Sequence, residues 1–160
     1  MGSERAAALA ADFAAANEDA LQFTESCTDA DWSRLVPEEG WTVGVVLHHV
    51  AEWHAHALDW LGAMTRGDGV PDSAEDVDRI NAADAARAAS VGQVETAALL
   101  TNNGARMEQA LRALSDQELD RLAPFGPAGG RPLPTSDLAA VPARHIRDHL
   151  SSARRAAGRS

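Results

Sequence analysis

A chain of 160 residues, 45% of them hydrophobic, suits one domain with a single core and excludes wholesale disorder. The net charge is −10, from 24 acidic residues against 14 basic ones that are all arginine. That balance argues against nucleic acid as the main partner, because phosphate contacts need clustered positive charge. No apolar run approaches the roughly 20 residues needed to cross a bilayer, and Cys27 is the only cysteine, so an internal disulfide is impossible.

Long Ala/Leu/Glu/Arg/Asp stretches dominate, while β-branched and aromatic residues are sparse, which favours an all-α chain. The first segment is amphipathic and carries Glu4, Asp12, Glu18 and Asp19, so no secretory leader is expected. Residues 1–160 therefore read as a single helical domain, expected to be soluble and cytoplasmic, with no membrane partner.

Ser3 caps a first helix running to about Ser26, with Leu9, Phe13, Ala16, Ala20 and Phe23 as its apolar stripe. Asp29 to Ser33 suggests a turn and a short helical piece, and Pro37 to Gly40 breaks the chain. Thr42 caps a second helix, Val43 to Met64, which Gly67 ends. At 100° per residue, Val46, His49, Val50, Trp53, His56, Ala57, Trp60 and Met64 share one face. His48, Glu52 and Asp59 fall on the opposite, polar face, and His54 lies on the flank.

Gly67 to Ser73 is a loop, and Ser73 caps a helical segment across Val77, Ile80 and Asn81. Ser90 with Gln93 fits a capping box for a third long helix to about Leu114, and Ser115 with Glu118 fits another for a short helix to Leu122. Residues 123–134, rich in Pro and Gly, read as a loop without regular structure, a plain connector or a rim over a site. The last helix starts near Ser136 and runs to about Ala157, with Pro142 kinking it or marking its true first turn. Arg144, Arg147, Arg154, Arg155 and Arg159 read as complements to its C-terminal dipole.

Two histidines in this last helix, His145 and His149, stand four apart and so project from one face, a spacing at which two imidazoles can share one metal ion. His49 is a third inward-facing histidine on another helix. Burying three imidazoles without a common partner would cost several kcal/mol. Three neutral His ligands on one divalent ion would supply that partner and leave a coordination position open, as catalytic zinc sites do. Three imidazoles suit Zn, Ni, Fe or Cu, with Zn or Ni expected. Trp53, His56 and Trp60 are candidate pocket residues; His56 is two turns, about 10 Å, from His49 and should not ligate the same ion. Glu52 faces the wrong way for a general base, and Cys27 has no basic neighbour to lower its pKa.

The run Trp41-Thr42-Val43-Gly44-Val45-Val46-Leu47-His48-His49-Val50 resembles the W-S/T-x-x-x-V-L-x-H-L segment of the DinB/YfiT-like superfamily. His145-x-x-x-His149 resembles that family's second metal motif, and Asp31-Trp32 and Asn81 look like further family features, so the resemblance spans residues 29–155 in motif order. It implies a four-helix bundle with a long crossover connection and a three-histidine divalent metal site, and its alignment puts His49 rather than His48 at the ligand position. Relatives implied by it include mycothiol-linked isomerases and bacillithiol S-transferases, hence a low-molecular-weight thiol as a possible co-substrate. Glu39 stands where mycothiol-linked relatives often carry Cys, and the C-terminus lacks the extra domain some of them have, which argues against mycothiol itself.

The expected function is that of a metal-dependent enzyme, thiol S-transferase or hydrolase in type, acting on a small-molecule substrate by lowering the pKa of a thiol or water. The alternative is a non-catalytic metal- or small-ligand-binding stress-response protein. A third reading is a metal-free bundle that forms a homodimer through its Trp53/Trp60 face.

Overall fold

The computed structural model describes residues 2–159. Four long helices carry the fold: α1 (Glu4–Ser26), α3 (Val43–Arg66), α5 (Gln93–Ala113) and α8 (Val141–Ala156). Shorter pieces join them: α2 (Asp29–Trp32), β1 (Leu35–Val36) and β2 (Trp41–Thr42), then α4 (Ala74–Ala88), α6 (Asp116–Leu119), β3 (Leu122–Phe125), β4 (Arg131–Pro134) and α7 (Thr135–Ala139). The architecture is the all-α four-helix bundle with a long crossover that the resemblance implies.

Hydrogen bonds between elements fix the directions. The Ser3 amide donates to the Leu114 carbonyl and the Gln93 side chain to the Thr24 carbonyl, so α1 and α5 are antiparallel. His48 meets Thr96 near the starts of α3 and α5, and Asn103 reaches the Ala51 carbonyl, so these two run parallel. Asp12 pairs with Arg147 and Ser26 accepts from Arg159, which makes α1 and α8 parallel. The order is up, down, down, up. Joining the parallel neighbours α3 and α5 requires a connection that returns along the bundle, and α4 is that connection.

Local chemistry sets most boundaries as expected. Ser3, Thr42, Ser73 and Ser115 cap their helices, the last two within capping boxes. Gly67, at φ 85°, closes α3 in the left-handed conformation that costs glycine nothing. Pro142 sits in the first turn of α8, where its missing N–H breaks no helical bond; α7 is a separate piece before it.

Four expectations are corrected. Residues 123–134 are not irregular. Most of them form the β3–β4 hairpin, in register Ala123 to Leu133 and Phe125 to Arg131. The prolines fall on alternate positions, 124, 132 and 134, and the Pro124 carbonyl points out of the hairpin to accept the Val70 amide at 2.9 Å, so no ladder donor is lost. The Ser90–Gln93 capping box does not form: Gly92 is the N-cap of α5, and Gln93 reaches across to the carbonyls of Thr24 and Cys27. His48 and His54 are buried rather than solvent-facing or flanking, at 4% and 1% exposure, because α3 is enclosed by α4, α5 and α8 and looks across the core at α1. The C-terminal arginines do more than face a dipole: Arg147, Arg155 and Arg159 pair with Asp12, Glu38 and Asp31 and hold α8 against the rest of the chain.

The core is lean. Ala6, Ala10, Ala16 and Ala20 let α1 approach its neighbours closely, and Phe13, Leu47, Leu100, Met107, Leu111 and Ile146 fill the space between. Gly104 extends that economy, since a Cβ there would collide with the Asn17 amide. Asn17 itself is fixed on both sides. Its Nδ2 donates to the Leu100 carbonyl at 3.1 Å, which leaves Oδ1 to accept from His54 Nε2 at 2.8 Å.

Candidate metal centre

α3 and α8 cross antiparallel with His49 facing His145 and His149. The i,i+4 spacing stacks the α8 pair, with ring centroids 4.5 Å apart, and the His49 ring lies 5.1 and 5.0 Å from theirs. One ring nitrogen from each of the three falls within 4.8 Å of the others. His49 Nε2 and His145 Nε2 are 3.2 Å apart. Two imidazoles on a tetrahedral ion with bonds of 2.0–2.1 Å would place their nitrogens roughly 3.4 Å apart. The donor set therefore fits a divalent ion of the zinc type.

Electrostatics point the same way. Burial pushes His49 down to about 3, with the neighbouring His149, His56 and His48 adding to the effect. Burial and then His149 and His49 hold His145 well below its ordinary value. His49 and His145 so present lone pairs at neutral pH. His49 Nδ1 is buried with no hydrogen-bond partner. His49 is buried, and His145 and His149 are half-buried, so the approach lies on the α8 side.

A fourth residue belongs to the arrangement. Glu39, on the tight turn between β1 and β2, accepts a hydrogen bond from His149 Nδ1 at 2.7 Å. An ionised carboxylate can only accept, so Nδ1 carries a proton and Nε2 is the nitrogen turned to the cluster for an ion. The same turn sends Glu38 to Arg155, which docks it on α8 at two points. Sequence reading noted Glu39 only as a departure from relatives. Its position in a turn carries no periodicity, and the sole available signal was its closeness to the Trp41 segment.

The other candidates are divided. Trp53 lies 5.2 Å from the His145 ring and so borders the cluster. Trp60 stacks edge-on against Trp53 at 5.0 Å, one step further away. His56 turns to the buried Asp84, at 3.4 Å, and meets Trp53 at 6.1 Å. α4 and the loop before it lie over this face: the Trp53 indole donates to Asn81 and the Trp60 indole to Asp72, each at 3.0 Å. Glu52 points away from the cluster, toward His48. Burial raises Cys27 to about 11, in keeping with an inert thiol. Among the described residues no helix is long and apolar enough to cross a membrane.

Fold and site together define a helical bundle with three convergent imidazoles carried on two antiparallel helices. The DinB superfamily matches residues 12–153, and the chain belongs to it. Its structure is similar to that of YfiT from Bacillus subtilis, described as a probable metal-dependent hydrolase with an unusual four-helix bundle topology. That likeness has a TM-score of 0.74 at 21% identity and covers 100% of this chain and 91% of YfiT, so it speaks for the fold. No curated protein matches the sequence.

Proposed function

We propose that this chain is a divalent-metal-dependent enzyme of the hydrolase or thiol S-transferase type, with His49, His145 and His149 as the ligands. The convergence of three imidazoles, two of them desolvated and the third oriented by Glu39, carries the reading. The description of YfiT as a probable metal-dependent hydrolase supports the hydrolytic branch. A bound divalent ion would supply Lewis acidity, lowering the pKa of a coordinated water or thiol. The chain's own contribution is positional. Burial keeps His49 and His145 neutral, Glu39 holds the proton on the outer nitrogen of His149, and Trp41 and Trp53 pack beside the His49 and His145 rings.

The decisive measurement is metal content by mass spectrometry on untagged protein, wild type and His49→Ala. Wild type should carry about one equivalent of Zn or Ni, and the variant little, since a structural or catalytic ion held by three ligands depends on each of them. No metal in wild type, even after reconstitution with either ion, overturns the reading.

Glu39→Gln is expected to weaken metal binding by roughly 10–100-fold while leaving the far-UV circular dichroism unchanged, because the amide no longer fixes the imidazole tautomer. Competition with a chromophoric chelator measures this. Equal affinities in the two proteins would remove Glu39 from the site.

A further inference from the structure

A cavity of ≈ 360 Å³ lies under the β3–β4 hairpin, between it, the end of α3 and the first turn of α8. That is at the small end of the range for small-molecule pockets, roughly 300–1,000 Å³. Its floor is apolar, made by Met64, Leu138 and Val141, with Phe125 at one side. Arg131, Arg144, Ser136 and Asp137 form the rim.

Two guanidiniums meet at this cavity. Several arginines of this acidic chain close on carboxylates: Arg5 on Asp120, Arg147 on Asp12, Arg155 on Glu38, Arg159 on Asp31. Among the described residues Arg131 and Arg144 close on none, as is true of Arg106, Arg121 and Arg154, but these two share one cavity. They approach one cavity from different elements, the first residue of β4 and the first turn of α8. One carboxylate, Asp137, opposes two cations there, so the rim is locally positive within a chain of net charge −10.

The cavity also adjoins the histidine cluster. Val141 precedes His145 by one helical turn, a rise of about 6 Å. A continuous aromatic wall joins the two: Phe125 stacks on Trp60 at 5.6 Å, Trp60 on Trp53 at 5.0 Å, and Trp53 faces His145 at 5.2 Å.

We propose that this cavity holds the anionic end of the substrate, an amphipathic organic acid whose apolar body lies on Met64, Leu138 and Val141 and whose carboxylate is gripped by Arg131 and Arg144. Guanidinium and carboxylate match as planar, charge-assisted partners, and the apolar floor supplies the burial that exposed ion pairs lack. Assigning the ligand as substrate rests on the metal-enzyme reading above; the binding site itself does not.

The test uses 4-phenylbutyrate and its uncharged amide as probes, titrated by calorimetry into the full chain at low salt. The acid should bind about tenfold tighter than the amide. The Arg131→Gln/Arg144→Gln double variant should erase that preference, and Asp137→Asn should strengthen it. Both arginines are exposed, so their loss leaves folding intact. Chelator-treated wild type should keep the preference in full. Equal binding of acid and amide, or no binding of either, overturns the proposal. So does a preference that survives the double variant but disappears with the metal, which would put the carboxylate on the histidines instead. A wild-type protein that takes up no metal on reconstitution yet still prefers the acid through its arginines would preserve the cavity assignment and sink the enzyme reading alone.

Discussion

Lowering the pH from about 7 to about 4.5 is expected to destabilise the metal-free protein by roughly 5 kcal/mol through two histidines alone. Burial sets the folded-state values of His49 and His54 at about 3 and about 4, below the ordinary 6.5. Above pH 6.5 both folded and unfolded chains hold these rings neutral. Below it the unfolded chain takes up protons that the folded core refuses, so stability falls as pH drops toward the folded values. At about 1.4 kcal/mol per unit, two units below the ordinary value cost nearly 3 kcal/mol for each ring. His145, held well below its ordinary value, adds to the loss. Most small domains have only about 5–15 kcal/mol in total, so unfolding should begin above the range where ordinary carboxylates titrate. The capping carboxylates Asp31, Asp76 and Glu118 are themselves held low by their hydrogen bonds and contribute only at still lower pH. Urea midpoints at the two pH values measure the effect. His54→Gln should recover about half of the pairwise loss. Midpoints that do not move would mean that these rings are hydrated.

Phe13→Ala carries the second large effect. Phe13 is 1% exposed and meets His54 edge-on at 5.1 Å, joining α1 to α3 across the diagonal of the bundle. Alanine-rich helices leave few bulky side chains to collapse into the hole, so a loss near the usual 3–5 kcal/mol is expected. For a chain of this size that lowers Tm by on the order of 10 °C. The same variant lets water reach His54. Its value should climb back toward the ordinary one, and the acid sensitivity described above should shrink. Imidazole NMR titration would register that change, and an unmoved His54 would show that the diagonal contact does not control its hydration.

The histidine cluster was legible in the sequence because helix geometry placed its members on inward faces and the family resemblance joined them into one set. His145 and His149 obey the i,i+4 rule, and the face projection of α3 separated His49 from His48. The same projection failed for His48 and His54. It assumes one buried face, whereas α3 has neighbours on nearly every side, and a helix enclosed in this way loses its polar stripe. Glu39 could not be read because turns lack periodicity. The β3–β4 hairpin was hidden by its prolines, whose alternation was the overlooked signal: spaced by two, they fit a ribbon edge. The Gln93 contact was invisible for a different reason. A capping box is a local pattern, and the carbonyls at the end of α1 outcompeted it from 69 residues away.

His49 and His145 are separated by 96 residues, three fifths of the chain. Closing so long a loop is entropically slow and comes after local helix formation in folding. The three imidazoles consequently meet only when α3 and α8 have docked, and no shorter segment contains the set. An ion taken up there would act as a late clasp: it would leave the rate of collapse unchanged and slow the opening of the finished bundle. Refolding watched through Trp53 should therefore proceed at the same rate with or without metal, while unfolding should slow in its presence.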